Sequence, residues 1–254
     1  METLLELRFD WGTVWDFLFN PVILKGLRTT LQIAALAMLL GILLGIVLGV
    51  MRVSRNPIVA GTASFYVFVW RGTPVVLQLL IMYIGMRQIF EQDVFRDNWT
   101  HFRVAVLTFA LNEAAYMAEI VRSGILSVES GQMDAAKSLG MTNLQAIRRI
   151  ILPQSIRVVV PPTGNEFIAM LKNTSVAFVI AVVELTNAAR IQSARNFQPM
   201  ELYTVAAIWY LVVVSVFSVL QAEVEGLVLA SERERPQTIF FRAVTILGGG
   251  RRTA

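Results

Sequence analysis

Residues 31–51 read LQIAALAMLLGILLGIVLGVM, an almost wholly apolar run with no charged side chain. At about 1.5 Å of rise per residue, a helix of this length matches a hydrocarbon core of about 30 Å. The run therefore predicts a membrane-spanning helix, and the rest of the chain agrees in kind. Of its 254 residues, 56% are hydrophobic and 16% charged, with a mean hydropathy of +0.61. That balance is too apolar for an ordinary water-soluble domain. Within the run, Gly41, Gly45 and Gly49 recur every fourth residue. They leave either a bare stripe that lets another helix approach closely or the ordinary glycine enrichment of membrane helices.

Four more apolar stretches follow. Residues 58–90 are too long for one straight span and are interrupted by Arg71, Gly72, Thr73 and Pro74, which predicts a kinked or broken helix. Residues 104–126, 158–183 and 202–229 supply the others, and a polar loop holding Arg190, Arg195 and Asn196 is expected before the last. The reading is an all-α polytopic membrane protein of about five transmembrane helices. The division is one transmembrane domain, 1–230, and a short tail, 231–254, expected in the cytoplasm. An odd number of spans puts the termini on opposite sides. More Lys and Arg fall on the side of Arg52, Arg55, Lys137, Arg148, Arg149 and Arg157 than on the other. That bias predicts an outside N-terminus and a cytoplasmic C-terminus. The mixed, acidic beginning (Glu2, Glu6, Asp10) does not read as a cationic signal peptide, so the first helix is expected to stay as an anchor.

Several chemistries are excluded early. The chain has no cysteine and one histidine, His101, which leaves no disulfide framework, thiolate metal site or multi-histidine centre. A net charge of +4 comes from arginines scattered between apolar runs, which fits loop anchoring rather than a nucleic-acid patch. No Gly-x-x-x-x-Gly-Lys-Ser/Thr loop occurs, so ATP phosphates have no cradle here. Five spans do not divide into two inverted halves, so two-fold symmetry would need a second subunit.

Between the third and fourth spans, residues 127–157 turn amphipathic. Residues 133–139 predict a short helix ending at Gly140, suited to a left-handed turn, and Thr142 and Gln145 stand in capping-box relation for a second helix. Leu144, Ile147, Ile150 and Ile151 share an apolar face of that helix, and Pro153 marks its expected end. Such a helix-turn-helix is either a docking knob or simply a polar loop with two amphipathic turns.

Inside the spans, Asn112, Tyr116, Glu119 and Ser123 lie along one face of the third. On the fourth, Glu166, Met170 and Asn173 share a face, with Asn165 and Lys172 on the adjoining one. Ionisable groups at membrane depth are expensive unless they pair or face water. Arg71, Arg122 and Lys172 balance Glu113, Glu119 and Glu166, which suits a path for zwitterions. The alternative is internal pairing, for example Glu119 with Arg122 one turn on.

These motifs together carry a resemblance. Asp134, Ala135 and Ala136, then Gly140 after three residues, then Ile150-Ile151-Leu152-Pro153 after nine, resemble the EAA loop of permease subunits in bacterial ABC importers. Asp134 stands where that family usually has Glu and keeps the acid. Arg71-Gly72-Thr73-Pro74, Glu113-Ala114-Ala115-Tyr116 through Ala118-Glu119-Ile120-Val121-Arg122, and Gly164-Asn165-Glu166-Phe167 with Lys172-Asn173-Thr174-Ser175 resemble the polar amino acid branch, whose members carry histidine, glutamine, arginine and opines. The likeness runs over residues 21–226.

The resemblance implies that Asp134, Ala135, Ala136, Gly140, Ile150, Leu152 and Pro153 dock an ATPase subunit. It also adds Arg71, Thr73, Thr174 and Ser175 to the candidate substrate path. It further implies two ATPase copies holding ATP and magnesium, a second permease chain, identical or related, an external solute-binding protein and an amino acid substrate. This chain would then carry no cofactor of its own and work in the inner membrane. The composition of the tail, with Arg233, Arg235, Arg251 and Arg252, reads either as an extension without function or as a contact for anionic membrane lipid. A passive channel and a membrane-embedded enzyme remain as other classes, and neither needs an ATPase-docking knob.

Overall fold

The computed structural model describes residues 9–89 and 99–229, and these are helical with short connections. Asp93, Arg96, Asp97 and the tail from residue 231 lie outside the described residues, as do Glu2, Glu6 and Arg8.

Helix starts follow local chemistry. Asp10 caps α1 (Trp11–Leu18), accepting the Gly12 amide at 2.8 Å and the Thr13 hydroxyl at 2.8 Å. Thr13 first, then the Gly12 amide, hold its carboxyl below the usual carboxylate range. Two Asn-Pro pairs open the next two helices, α2 (Pro21–Arg52) and α3 (Pro57–Gly72). Proline fits the first helical position because no intrahelical partner awaits its missing N–H. The preceding asparagines cap: Asn20 Oδ1 accepts from Val22 N, and Asn56 Oδ1 from Ile58 N, each at 2.9 Å.

Helix α3 is followed by α4 (Val75–Ile89) across a bend of 103° at Thr73 and Pro74, which agrees with the expected break. Gln78 stitches that break, its Nε2 donating to the Thr73 carbonyl at 3.0 Å and to the Thr73 hydroxyl at 2.8 Å. Next come α5 (His101–Leu126), α6 (Gly131–Ser138), α7 (Asn143–Ile180), α8 (Leu185–Asn196) and α9 (Pro199–Leu229). Helices α2, α5 and α9 are each long and apolar enough to cross a membrane. Counting the bent pairs α3–α4 and α7–α8 as one span each raises the number to five.

Two local expectations need correction. Pro153 does not end a helix. Residues 147–151 widen into a π turn in which Leu152 N–H reaches back to the Ile147 carbonyl, and α7 continues through Pro153. The wider turn makes room for the ring and bypasses the absent donor. Nor is the segment around Arg190 and Arg195 a loop. It is α8, set at 50° to α7 after the left-handed Ala181. Glu184 caps α8 with bonds from Thr186 N at 2.8 Å and Asn187 N at 2.7 Å. The helix buries Asn187, Gln192 and Ser193 beside Leu185 and Ala188, which is why its composition reads as polar.

Packing separates the chain into two compact units. One takes its described residues from 9–40, 72–112 and 169–213. Its core gathers Val14, Leu18, Ile23, Leu185, Ala188, Leu202 and Val205. Within it, Trp209 Nε1 donates to the Leu18 carbonyl at 2.7 Å. The buried Glu184 also accepts from the Tyr210 hydroxyl at 3.1 Å.

The other unit takes residues 41–71, 113–168 and 214–229. There the glycine stripe of α2 meets α5. A Cβ built on Gly45 would stand 2.4 Å from Met117 Cβ, and one on Gly49 2.7 Å from Val121 Cβ. Leu48, Ala63, Val67, Ala114, Ala115 and Ala118 close the seam. Backbones approach closely there because small residues face each other.

Candidate functional site

Two arrangements in the second unit carry chemistry. The first is the knob formed by α6 and the start of α7. Helix α6 ends in a Schellman motif: Met141 N donates to the Ala136 carbonyl at 3.1 Å, Gly140 N donates to the Lys137 carbonyl at 2.9 Å, and Gly140 lies at φ +79°. The capping box then starts α7. Thr142 N donates to Gln145 Oε1 at 2.9 Å and Gln145 N to Thr142 Oγ1 at 3.3 Å. Ala136 and Ala146 are buried where the two helices meet. Outside, Leu139 is 82% exposed and Leu144 74%, with Ile147 and Leu152 also open. Asp134, Ala135 and Pro153 are exposed, and Ile150 is half-buried. Small residues thus hold the knob together while it presents apolar side chains outward.

The second arrangement is a charged cluster at α2, α3, α5 and α7. Glu119 is its hub. Arg122 donates from Nε at 3.1 Å and Nη2 at 2.5 Å, Arg52 pairs with the other carboxylate oxygen, and Arg71 Nη1 stands 3.9 Å away. The Arg71 guanidinium also lies over the Tyr116 ring, 5.1 Å from its centroid. The half-buried Glu166 lies within electrostatic reach of Arg71 and of Glu113. The pairing of Glu119 with Arg122 is therefore present, and it is one part of a larger network.

Not every candidate joins that cluster. Asn165 accepts from Gln221 Nε2 at 3.0 Å. Asn112 and Thr73 belong to the first unit, where Asn112 Nδ2 donates to Gln78 Oε1 at 2.9 Å. Lys172 and Asn173 are exposed in that unit, and Ser175 is half-buried. Thr174 is fully buried and returns its hydroxyl to the Leu171 carbonyl at 2.8 Å, so it faces packing rather than open space. A separate cavity of about 450 Å³ in the second unit is walled chiefly by apolar side chains such as Ile42, Val121, Phe167 and Phe217. Such walls give a zwitterion few partners.

The family described as binding-protein-dependent transport system inner membrane component matches residues 41–227. This chain belongs to that family.

The matched span takes in both the knob and the charged cluster. Among its relatives, the arginine transport system permease protein ArgU of Corynebacterium glutamicum is 41% identical over 85% of this chain and 71% of its own. The glutamine transport system permease protein GlnP of Escherichia coli K12 is 34% identical over 86% of this chain and 97% of its own. A solved structure titled as an amino acid ABC transporter with histidines matches at a TM-score of 0.76. It is 36% identical and covers 85% of this chain and 97% of the other. The MetNI methionine ABC transporter, 18% identical, shares the fold at a TM-score of 0.69 over 88% of this chain and 100% of the other. As a member of this family the chain is a multi-pass transport component of the inner membrane.

Of two further acidic residues of this transport component, Glu184 escaped the sequence reading, and Glu113 entered it only through the charge balance of the spans and the motif that it opens. Glu184 is buried without charge neighbours in the sequence to announce it, although its place before Leu185 and Thr186 suits an N-cap. Glu113 is 3% exposed with its Oε1 lacking a hydrogen-bond partner. A carboxylate amid apolar residues of a span is the signal that marks it.

Proposed function

We propose that this chain is the permease subunit of an ABC importer that moves polar amino acids into the cytoplasm, powered by a separate ATPase that docks on the α6–α7 knob. The knob carries the reading: exposed Leu139 and Leu144 give a partner an apolar hold, and α7 runs without interruption from it toward membrane depth. A push on the knob is thereby delivered along a helix. Neither a passive channel nor a membrane enzyme has use for such a lever. Arginine and glutamine permeases among the relatives support an amino acid as the cargo. Two permease chains, identical or related, pair around the path, two ATPases hold ATP and magnesium below, and a solute-binding protein delivers from outside.

Gly140 gives the direct test. Nothing lies within 4 Å of a Cβ built there, so a substitution reports its φ of +79° and not crowding. A β-branched residue in that conformation costs roughly 1–3 kcal/mol, whereas asparagine tolerates it. Gly140→Val is expected to lose ATPase co-purification and solute-stimulated hydrolysis, and Gly140→Asn to keep both. Wild-type stimulation in the valine variant sinks the docking reading.

Orientation is part of the same proposal, with the knob and C-terminus in the cytoplasm and the N-terminus outside. Ser130 and Arg195 are both exposed, and the chain contains no native cysteine. Introduced singly, Ser130→Cys should stay unlabelled by an impermeant maleimide on intact cells, while Arg195→Cys reacts. The reverse pattern, or equal labelling, overturns the five-span topology.

A further inference from the structure

Helix α1 in the first unit has three faces. Thr13, Val14 and Leu18 are buried, the last two in the unit's core. Polar bonds tie the start of the helix to the turn before α9: Asp10 N donates to Glu201 Oε1 at 3.0 Å and the Thr13 hydroxyl to Gln198 Oε1 at 3.1 Å. Trp11, Trp15 and Phe19, spaced four residues apart, make the second face and are 61%, 67% and 66% exposed. Gly12 and Asp16, also exposed, make the third. At 3.6 residues per turn the aromatic face lies between the core face and the polar one. Capping and core contacts already hold this short helix in place, so its packing does not account for three large rings kept outside. Phe19 makes only an edge contact with Trp209, with ring centroids 6.0 Å apart.

We infer that the aromatic face is a contact surface for membrane lipid: α1 lies along the bilayer surface, with Trp11, Trp15 and Phe19 among the headgroups and Asp16 in water. The chain is an inner-membrane component, and the span α2 begins two residues after Phe19. On α2, Val22, Leu36, Leu39 and Leu40 are exposed apolar side chains, so the aromatic face adjoins a helix that itself offers lipid an apolar side. Tryptophan suits this boundary, because an indole buries a large ring and keeps its N–H for water and headgroups. Asp16 decides the orientation. Were α1 an upright extension of α2, Asp16 would sit between Trp15 and Phe19 in depth, where a carboxylate is costly. Lying flat puts all three rings at one depth and turns the carboxylate to the water side. The backbone permits the change of direction, since Phe19 leaves helical geometry at ψ 16° and Asn20 caps a fresh start at Pro21.

Nitroxide labels on single cysteines read this depth directly, and the chain contains no native cysteine. Trp11→Cys, Trp15→Cys, Asp16→Cys and Phe19→Cys are labelled one at a time in the full chain. Each is reconstituted with its co-purifying subunits in vesicles of phosphatidylethanolamine and phosphatidylglycerol. Collision with oxygen, which concentrates in lipid, is compared with collision with a water-soluble nickel chelate. Oxygen should exceed nickel to a similar degree at Trp11, Trp15 and Phe19, and the order should reverse at Asp16. Every variant on the aromatic face keeps two of the three rings, so the contact persists while it is read. All four positions are exposed, so folding should survive, and Trp11→Cys serves for the face if Trp15→Cys fails to reconstitute. Nickel exceeding oxygen at Trp11 and Trp15 puts the face in water and overturns the inference. Weak collision with both reagents there puts a protein on it, a second copy of this chain or a solute-binding protein, and overturns it equally. A steady rise in oxygen from Trp11 through Asp16 to Phe19 stands α1 upright and overturns the flat arrangement.

Discussion

Replacing Gly45 with valine is expected to leave little folded chain. A Cβ at Gly45 would stand 2.4 Å from Met117 Cβ, 3.1 Å from the Ala114 carbonyl oxygen and 3.2 Å from Ala118 N. Two of those neighbours are backbone of α5, which cannot step aside by a rotamer change. Helices α2 and α5 would have to separate along the seam that also packs Leu48, Ala63 and Val67. The cost falls at the upper end of overpacking, about 3 kcal/mol, a large part of a typical stability margin. Thermal unfolding of the detergent-purified chain, followed by size-exclusion chromatography, reads the loss. Gly61 is the control, because nothing lies within 4 Å of a Cβ built there on α3. Gly61→Ala should be neutral or gain up to about 1 kcal/mol from helix propensity. Equal stability of the Gly45 and Gly61 variants overturns the close-packed seam.

Glu119→Gln should produce the second large effect, and for a different reason. The substitution keeps the shape but removes the one negative charge on which Arg52, Arg71 and Arg122 converge. Three guanidiniums are then left near one another with an amide in place of a carboxylate. Breaking a buried pair costs about 3–5 kcal/mol. With side chains here between 17% and 42% exposed, solvent screening lowers the expected loss to about 2 kcal/mol. Adding Arg52→Gln to the variant should restore part of the stability, since the second change removes one of the repelling charges. A double variant no more stable than Glu119→Gln alone counts against the network. A single variant as stable as wild type returns Glu119 to the role of an unpaired path residue.

Much of this architecture is legible in local sequence. The run 31–51 marks α2, and the Asn20-Pro21 and Asn56-Pro57 pairs carry the chemistry of helix starts even though Lys25 and Arg28 depress hydropathy near the first. Gly140 and the Thr142–Gln145 relation were sufficient for the knob's turn because a Schellman motif and a capping box depend on a few consecutive residues. Helix α8 was missed for the opposite reason. Asn187, Gln192 and Ser193 look like loop residues until the burial of their side chains is known. Pro153 misled because a proline's usual effect on an α-helix does not hold beside a π turn.

Residue chemistry along the chain determined that this protein lives in a membrane, roughly where it crosses, and where it offers a knob, because partition into lipid and helix capping are sums of local terms. Which polar groups would be satisfied was decided only by the tertiary structure. The balance of Arg71 and Arg122 against Glu113, Glu119 and Glu166 could be counted from sequence, but not its distribution. Arg52, Arg71 and Arg122 come from three different helices to one acid and leave Glu113 without a partner for its Oε1. That outcome depends on which helix faces meet, and the glycine seam between α2 and α5 sets it for Arg52 and Glu119 by allowing their backbones to approach.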